Sequence, residues 1–155
     1  MAGRIEGKLA ELGITLPPPM APIANYVPWV ITGKLVLVSG QVPALDGKVA
    51  FVGRVGAEIT AEDAKAAARQ CLINVLGHLK AACAGDLDRV RRVVRLGGFI
   101  ASAPGFAGQA QVMNGASDLA VAVFGEAGRH ARTTIGVPVL PADAAVEVEG
   151  LFEIA

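Results

Sequence analysis

The residues with the most chemical promise lie near the C-terminus. In Arg132-Thr133-Thr134-Ile135-Gly136-Val137 the side chains of an extended strand alternate. Arg132, Thr134 and Gly136 then share one face, and Thr133, Ile135 and Val137 the other. A guanidinium presents a planar fork that grips a carboxylate through two parallel hydrogen bonds. A hydroxyl beside it, and a residue with no side chain, leave room for a small anion. The competing reading is a plain surface arginine at a strand end, which the residue type alone favours. Further on, Val146, Val148, Phe152 and Ile154 alternate with Glu147, Glu149, Leu151 and Glu153. A carboxylate near Arg132 would position a water or shuttle a proton. Glu149 and Glu153 read better as solvated or ion-paired.

Other residues carry weaker signals. Tyr26 either walls a pocket or packs at an interface. Gly40, in Ser39-Gly40-Gln41-Val42-Pro43, would let a backbone N–H approach a ligand. Ser39 lacks an activating histidine and a nucleophile elbow. His78 reads as a helix-end hydrogen-bonder, and His130 as a turn or interface hydrogen-bonder before an acid–base. Cys71 and Cys83 read as small apolar helix residues. Arg91 and Arg95 are placed on one strand face with Arg89 at its entry. They read as a solvated edge or intersubunit ion pairs, because base-stacking aromatics are missing from that sheet. No metal-ligand spacing and no phosphate loop occur, so no metal or cofactor is expected.

These residues need a framework, and the spacing predicts one. A short helix over 4–12 turns Ile5, Leu9 and Leu12 to one side and stops at Gly13. Strands follow at 25–31 and 34–39, around Thr32-Gly33. The second is apolar on both faces, as a strand covered from both sides must be. Residues 41–56 read as loop. Thr60 caps the main helix, whose stripe is Ala64, Ala68, Cys71, Leu72, Val75, Leu79 and Ala82, and Gly85 ends it. Then come a strand at 89–100, a helix at 108–124 closed by Gly125, and strands at 132–138 and 145–154. This order predicts a single α+β domain over 1–155, with 1–16 as an N-terminal helical extension. Its two main helices pack on one face of a mixed β-sheet, and a partner subunit covers the other.

Composition narrows the classes. Hydrophobic residues reach 53% and charged ones only 18%, so apolar surface is expected between subunits. Net charge is zero, so the basic field of a nucleic-acid binder is missing and nucleic acid is an unexpected partner. No apolar run is long enough to span a membrane. Residues 1–13 carry Glu6 and Glu11 rather than an apolar leader core, so a cytoplasmic location is expected.

Tyr26-Val27, Ser39-Gly40-Gln41-Val42-Pro43, Arg132, Leu140-Pro141 and Val146-Glu147-Val148-Glu149 together resemble the RidA/YjgF family over roughly residues 22–155. The N-terminal helix and the stretch from Asn114–Asp118 through Gly128–Arg132 resemble a longer branch of it without an assigned function. The resemblance implies a chorismate-mutase-like fold of the bacillary type, and a homotrimer with sites in the clefts between subunits. It also implies hydrolysis of reactive 2-imino acids or enamines to 2-oxo acid and ammonia. The family's carboxylate-holding arginine maps onto Arg132, its tyrosine onto Tyr26, its site-lining glycine onto Gly40 and its glutamate onto Glu147. Thr134 stands where archetypal members often have cysteine, and Gly136 where they carry a larger polar residue, which implies a wider pocket. A family asparagine falls near Asn114, across a stretch where lengths differ. Two other functions stay open: a non-catalytic trimer that binds small carboxylates, and an endoribonuclease.

Overall fold

A computed structural model describes residues 2–155, so Met1, the first residue of the predicted domain, lies outside the description. The elements are α1 (Arg4–Glu11), β1 (Trp29–Thr32), β2 (Leu35–Gln41), β3 (Ala44–Leu45), β4 (Lys48–Val49), α2 (Ala61–Ala82), β5 (Val90–Ala101), α3 (Gln109–Phe124), β6 (Ala131–Val137) and β7 (Val146–Ile154). Five strands form one sheet in the order β1-β2-β7-β5-β6. β5 and β6 run parallel; the other neighbours are antiparallel. The architecture is α+β with a mixed sheet, as predicted.

The helices start where local chemistry favours it. Thr60 Oγ1 accepts the Asp63 N–H at 3.1 Å, a cap worth about 1 kcal/mol. Gly125 ends α3 at a φ of 63°, which an L side chain rarely adopts. α2 and α3 both pack on the sheet face that carries Val93, Leu96, Ile100, Val146, Val148 and Phe152, all fully buried. Leu72, Leu76 and Leu79 of α2 are fully enclosed there, each stabilising the fold by about 2 kcal/mol. A Cβ on Gly115 of α3 would run into the Lys65 carbonyl of α2, so this glycine sets how closely the helices approach. α1 is pinned by Asp88, whose carboxylate accepts the N–H groups of Arg4 and Ile5, both at 2.8 Å. Those two bonds hold the Asp88 carboxyl below its ordinary pKa.

The other sheet face carries no helix. Val30, Leu35, Leu37 and Ile135 are exposed there, at 37–49%.

Several expectations are corrected. Leu12 ends α1 and is exposed, because the helix stops one residue early. Residues 25–28 bend instead of joining β1, and the 41–56 stretch contains the β3–β4 hairpin around Asp46-Gly47. In β5 two register shifts break the alternation. They set Arg92 opposite Glu153 and Arg95 opposite Leu151, so Arg92, not Arg91, shares a face with Arg95. His78 is buried inside α2, with its ring 6.0 Å from that of Trp29 and its Nδ1 without a hydrogen-bond partner among the described residues. That burial lowers its pKa. Cys71 and Cys83 are free and buried, as read, and the Cys71 thiol donates to the Val146 carbonyl at 3.5 Å. No helix among the described residues is long and apolar enough to cross a membrane.

Candidate functional site

A parallel strand pair needs a crossover, and here α3 is that crossover between β5 and β6. Side chains of β6 on the helix-covered face therefore meet α3. Arg132 pairs in register with Leu96, Thr134 with Gly98 and Gly136 with Ile100, and these three β5 residues are buried. The predicted grouping of Arg132, Thr134 and Gly136 is what the register shows.

The Arg132 guanidinium lies along α3. Nη1 donates to Asn114 Oδ1 at 2.9 Å and to Ser117 Oγ at 3.1 Å, and Nη2 donates to the Ala110 carbonyl at 3.0 Å. Three of its five N–H donors are used, so Nε–H and one Nη2–H remain. None of its three partners is charged, and Arg132 forms no ion pair among the described residues. A half-buried cation with two unused donors and no counter-charge suits a carboxylate ligand.

His130 stands beside this group. Its ring lies 2.8 Å from Ser117 Oγ through Nε2, and 2.6 Å from the Gly128 carbonyl through Nδ1. It is the turn hydrogen-bonder that the sequence favoured. Thr134 Oγ1 is buried with no hydrogen-bond partner among the described residues. The room expected at Gly136 is already filled: a Cβ there would meet Gln109 Nε2 at 2.9 Å and Ser102 Oγ at 3.0 Å. Within this chain the absent side chain is replaced by an amide and a hydroxyl, so Gly136 does not widen the pocket.

Glu147 lies elsewhere. It pairs with Phe99 on β5 and faces the open side with Glu149. Burial, and then the Glu149 charge, raise its carboxyl above the ordinary carboxylate range. Glu149 is itself held by Arg95 at 3.5 Å. A β-bulge between Val38 and Gln41 carries Gly40 up against Glu147, and a Cβ on Gly40 would overlap the Glu147 carboxylate. Ser39 ties this edge to the Tyr26 segment: its Oγ donates to the Val27 carbonyl at 2.8 Å and its N–H to the Pro28 carbonyl at 2.9 Å. Tyr26 itself is about half exposed.

The candidates therefore form two groups. Tyr26, Gly40 and Glu147 gather at the open side of β2 and β7. Arg132 and Thr134 sit at the helix side of β6. Three strand spacings, about 14 Å, separate β2 from β6, and the sheet lies between the two groups. Sequence reasoning missed Ser117 altogether. The signal was present: Ala110, Asn114 and Ser117 recur at four and three residues along α3, one helical face aimed at β6. A groove of about 560 Å³ between α1, Pro17–Pro19 and α2 touches neither group. No cluster of three or more His, Cys, Asp or Glu side chains that could hold a metal occurs among the described residues.

The chain is similar to several known proteins. Residues 6–154 match the family model described as "YjgF/chorismate_mutase-like, putative endoribonuclease". The chain is 49% identical to Protein TCP17 of Trypanosoma cruzi, over 99% of this chain and 96% of that one. The crystal structure of Atu1372, a protein of unknown function from Agrobacterium tumefaciens, superposes with a TM-score of 0.92 at 49% identity, covering 98% of this chain and 93% of that one. A "putative endoribonuclease" from Shewanella oneidensis MR-1 superposes at 0.94 with 36% identity, covering 97% and 99%.

Proposed function

The chain belongs to the YjgF/chorismate-mutase-like family, and from that premise we propose that it hydrolyses reactive 2-imino acids to 2-oxo acids and ammonia. The observation that carries the reading is Arg132: a tethered guanidinium with two unused donors and no counter-ion. A 2-imino acid brings the matching carboxylate next to its reactive carbon.

The two groups of residues face opposite sides of one sheet, so a complete site draws on two copies of the chain. The exposed apolar side chains of the open face support a homotrimer that supplies this pairing. Arg132 of one copy holds the carboxylate, and Thr134 adds a hydroxyl. Glu147 of a neighbouring copy, beside Gly40 and Tyr26, takes a proton from a water as that water attacks the imine carbon. The C=N π pair moves to nitrogen. Glu147 passes that proton to the nitrogen, then carries the carbinol O–H proton across to it as well; the C=O forms, the C–N bond breaks with its electron pair going to nitrogen, and ammonia leaves a 2-oxo acid. Because imines hydrolyse readily, orientation and charge complementarity supply most of the acceleration. The raised pKa of Glu147 makes it a stronger base than an ordinary carboxylate. No cofactor enters this scheme.

The test is the rate of 2-oxo acid formation from freshly generated 2-iminobutanoate and 2-iminopropanoate, with wild type and Arg132→Ala. Acceleration that vanishes in the variant supports the reading. Binding of 2-oxobutanoate without turnover would instead support a non-catalytic carboxylate binder built on the same arginine. An endoribonuclease has less support: Arg95 is engaged by Glu149, and the two histidines are a buried ring and a tethered one.

A further inference from the structure

We propose that Ser117 and His130 are positioning residues, which hold Arg132 in its anion-receiving orientation through a one-way chain of hydrogen-bond donors. The inference rests on the reading of Arg132 as the carboxylate-binding residue.

The chain is fixed from its far end. The Gly128 carbonyl can only accept, so His130 Nδ1, 2.6 Å away, carries the ring hydrogen. Nε2 of the neutral ring can then only accept. Its neighbour at 2.8 Å is Ser117 Oγ, so the hydroxyl hydrogen points at the ring. That turns the serine lone pairs toward Arg132, whose Nη1 donates to them at 3.1 Å. The second Nη1 hydrogen goes to Asn114. Both Nη1 donors are thereby committed to α3, and the unused donors are confined to Nε and Nη2.

The backbone explains why this chain forms. The turn over Gly125–Gly128 folds back against α3, and a Cβ on Gly128 would strike the Ala120 carbonyl. Glycine lets the turn lie that close, and its carbonyl comes within reach of the His130 ring. His130 precedes Arg132 by two residues at the start of an extended strand, so both side chains leave on the same side. An arginine has many rotamers, and ordering it before the ligand arrives lowers the entropy lost on binding.

The experiment measures the affinity of 2-oxobutanoate by calorimetry and, with 2-iminobutanoate, kcat and KM separately. It uses the full chain in wild-type, Ser117→Ala, His130→Ala and His130→Gln forms. Ser117→Ala and His130→Ala are expected to weaken carboxylate binding about three- to tenfold, the loss of one net hydrogen bond. The change should appear in KM more than in kcat. His130→Gln should recover most of the loss, because an amide N–H can face Gly128 while its carbonyl takes the serine hydrogen. Nitrogen-15 NMR should find His130 as the Nδ1–H tautomer in wild type. Folded Ser117→Ala protein with unchanged affinity overturns the proposal, as does an Nε2–H tautomer. Covalent capture of Ser117 by a fluorophosphonate overturns it too, by making that serine a nucleophile. Serine-dependent 2-oxobutanoate binding without imine turnover sustains the positioning role and removes the deaminase reading. A wild type that binds no small carboxylate overturns both.

Discussion

The two faces of the sheet solve opposite problems. On the helix side, Arg132 is a cation immobilised by neutral partners on α3, with its charge left unanswered. On the open side, Glu147 is a carboxyl lifted by burial and by Glu149, pressed against a glycine where β2 bulges. One face offers fixed charge and the other an adjustable proton. The proposed imine hydrolysis draws on both, and in a single chain they lie on opposite faces of the sheet, on strands two spacings or about 10 Å apart.

The strongest way to break this contrast is complementation. Arg132→Ala and Glu147→Gln proteins are each expected to lose about a hundredfold or more in imine hydrolysis. Unfolded together and refolded as mixed oligomers, they should regain about a quarter of wild-type sites if each site takes one residue from each of two copies. No recovery means that both residues act from one chain.

Next in size is a pair of glycine substitutions. Gly115→Ala pushes a methyl group into the Lys65 carbonyl, with backbone on both sides. It should lower stability by about 2–3 kcal/mol in a denaturant titration. Gly40→Ala meets only the movable end of Glu147. It should leave stability within about 1 kcal/mol and still cut activity, because the carboxylate is displaced.

A smaller effect concerns pH. If Glu147 works as the base, activity falls as pH drops through its raised pKa. Glu149→Gln removes the repelling charge and should move that acidic limb to lower pH. The stability sign is the reverse of an ion-paired carboxylate. Glu147 favours the fold while protonated, below its ordinary value of 4.5, and loses that contribution as pH rises through the folded value. The smallest effect is Thr134→Val. Removing a hydroxyl whose oxygen is buried and unpartnered should leave stability unchanged or slightly raised. A loss of 2-oxobutanoate affinity in this variant would assign the hydroxyl to the ligand.

Much of this was legible in the sequence. Thr60, Gly125 and the α2 stripe marked the helices because caps and periodicity act over a few residues. The alternation in β6 and β7 sorted Arg132 from Ile135 and Glu147 from Val148, because both strands run without bulges. β5 was misread for the opposite reason: two register shifts have no residue signature in Val90–Ala101. That Arg132 and Glu147 face apart was also hidden, since it depends on β7 and β5 lying side by side. Gly136 was read as empty space because the filling side chains, Gln109 and Ser102, come from other elements.

The buried thiols give the fold two internal clocks. Cys71 is sealed between α2 and β7, and burial raises its pKa far from the reactive thiolate range. Cys83 caps the end of α2, where a frayed last turn would uncover it first. A thiol reagent therefore reacts only with molecules that have opened. The ratio of the two labelling rates separates fraying at the helix end from separation of helix and sheet.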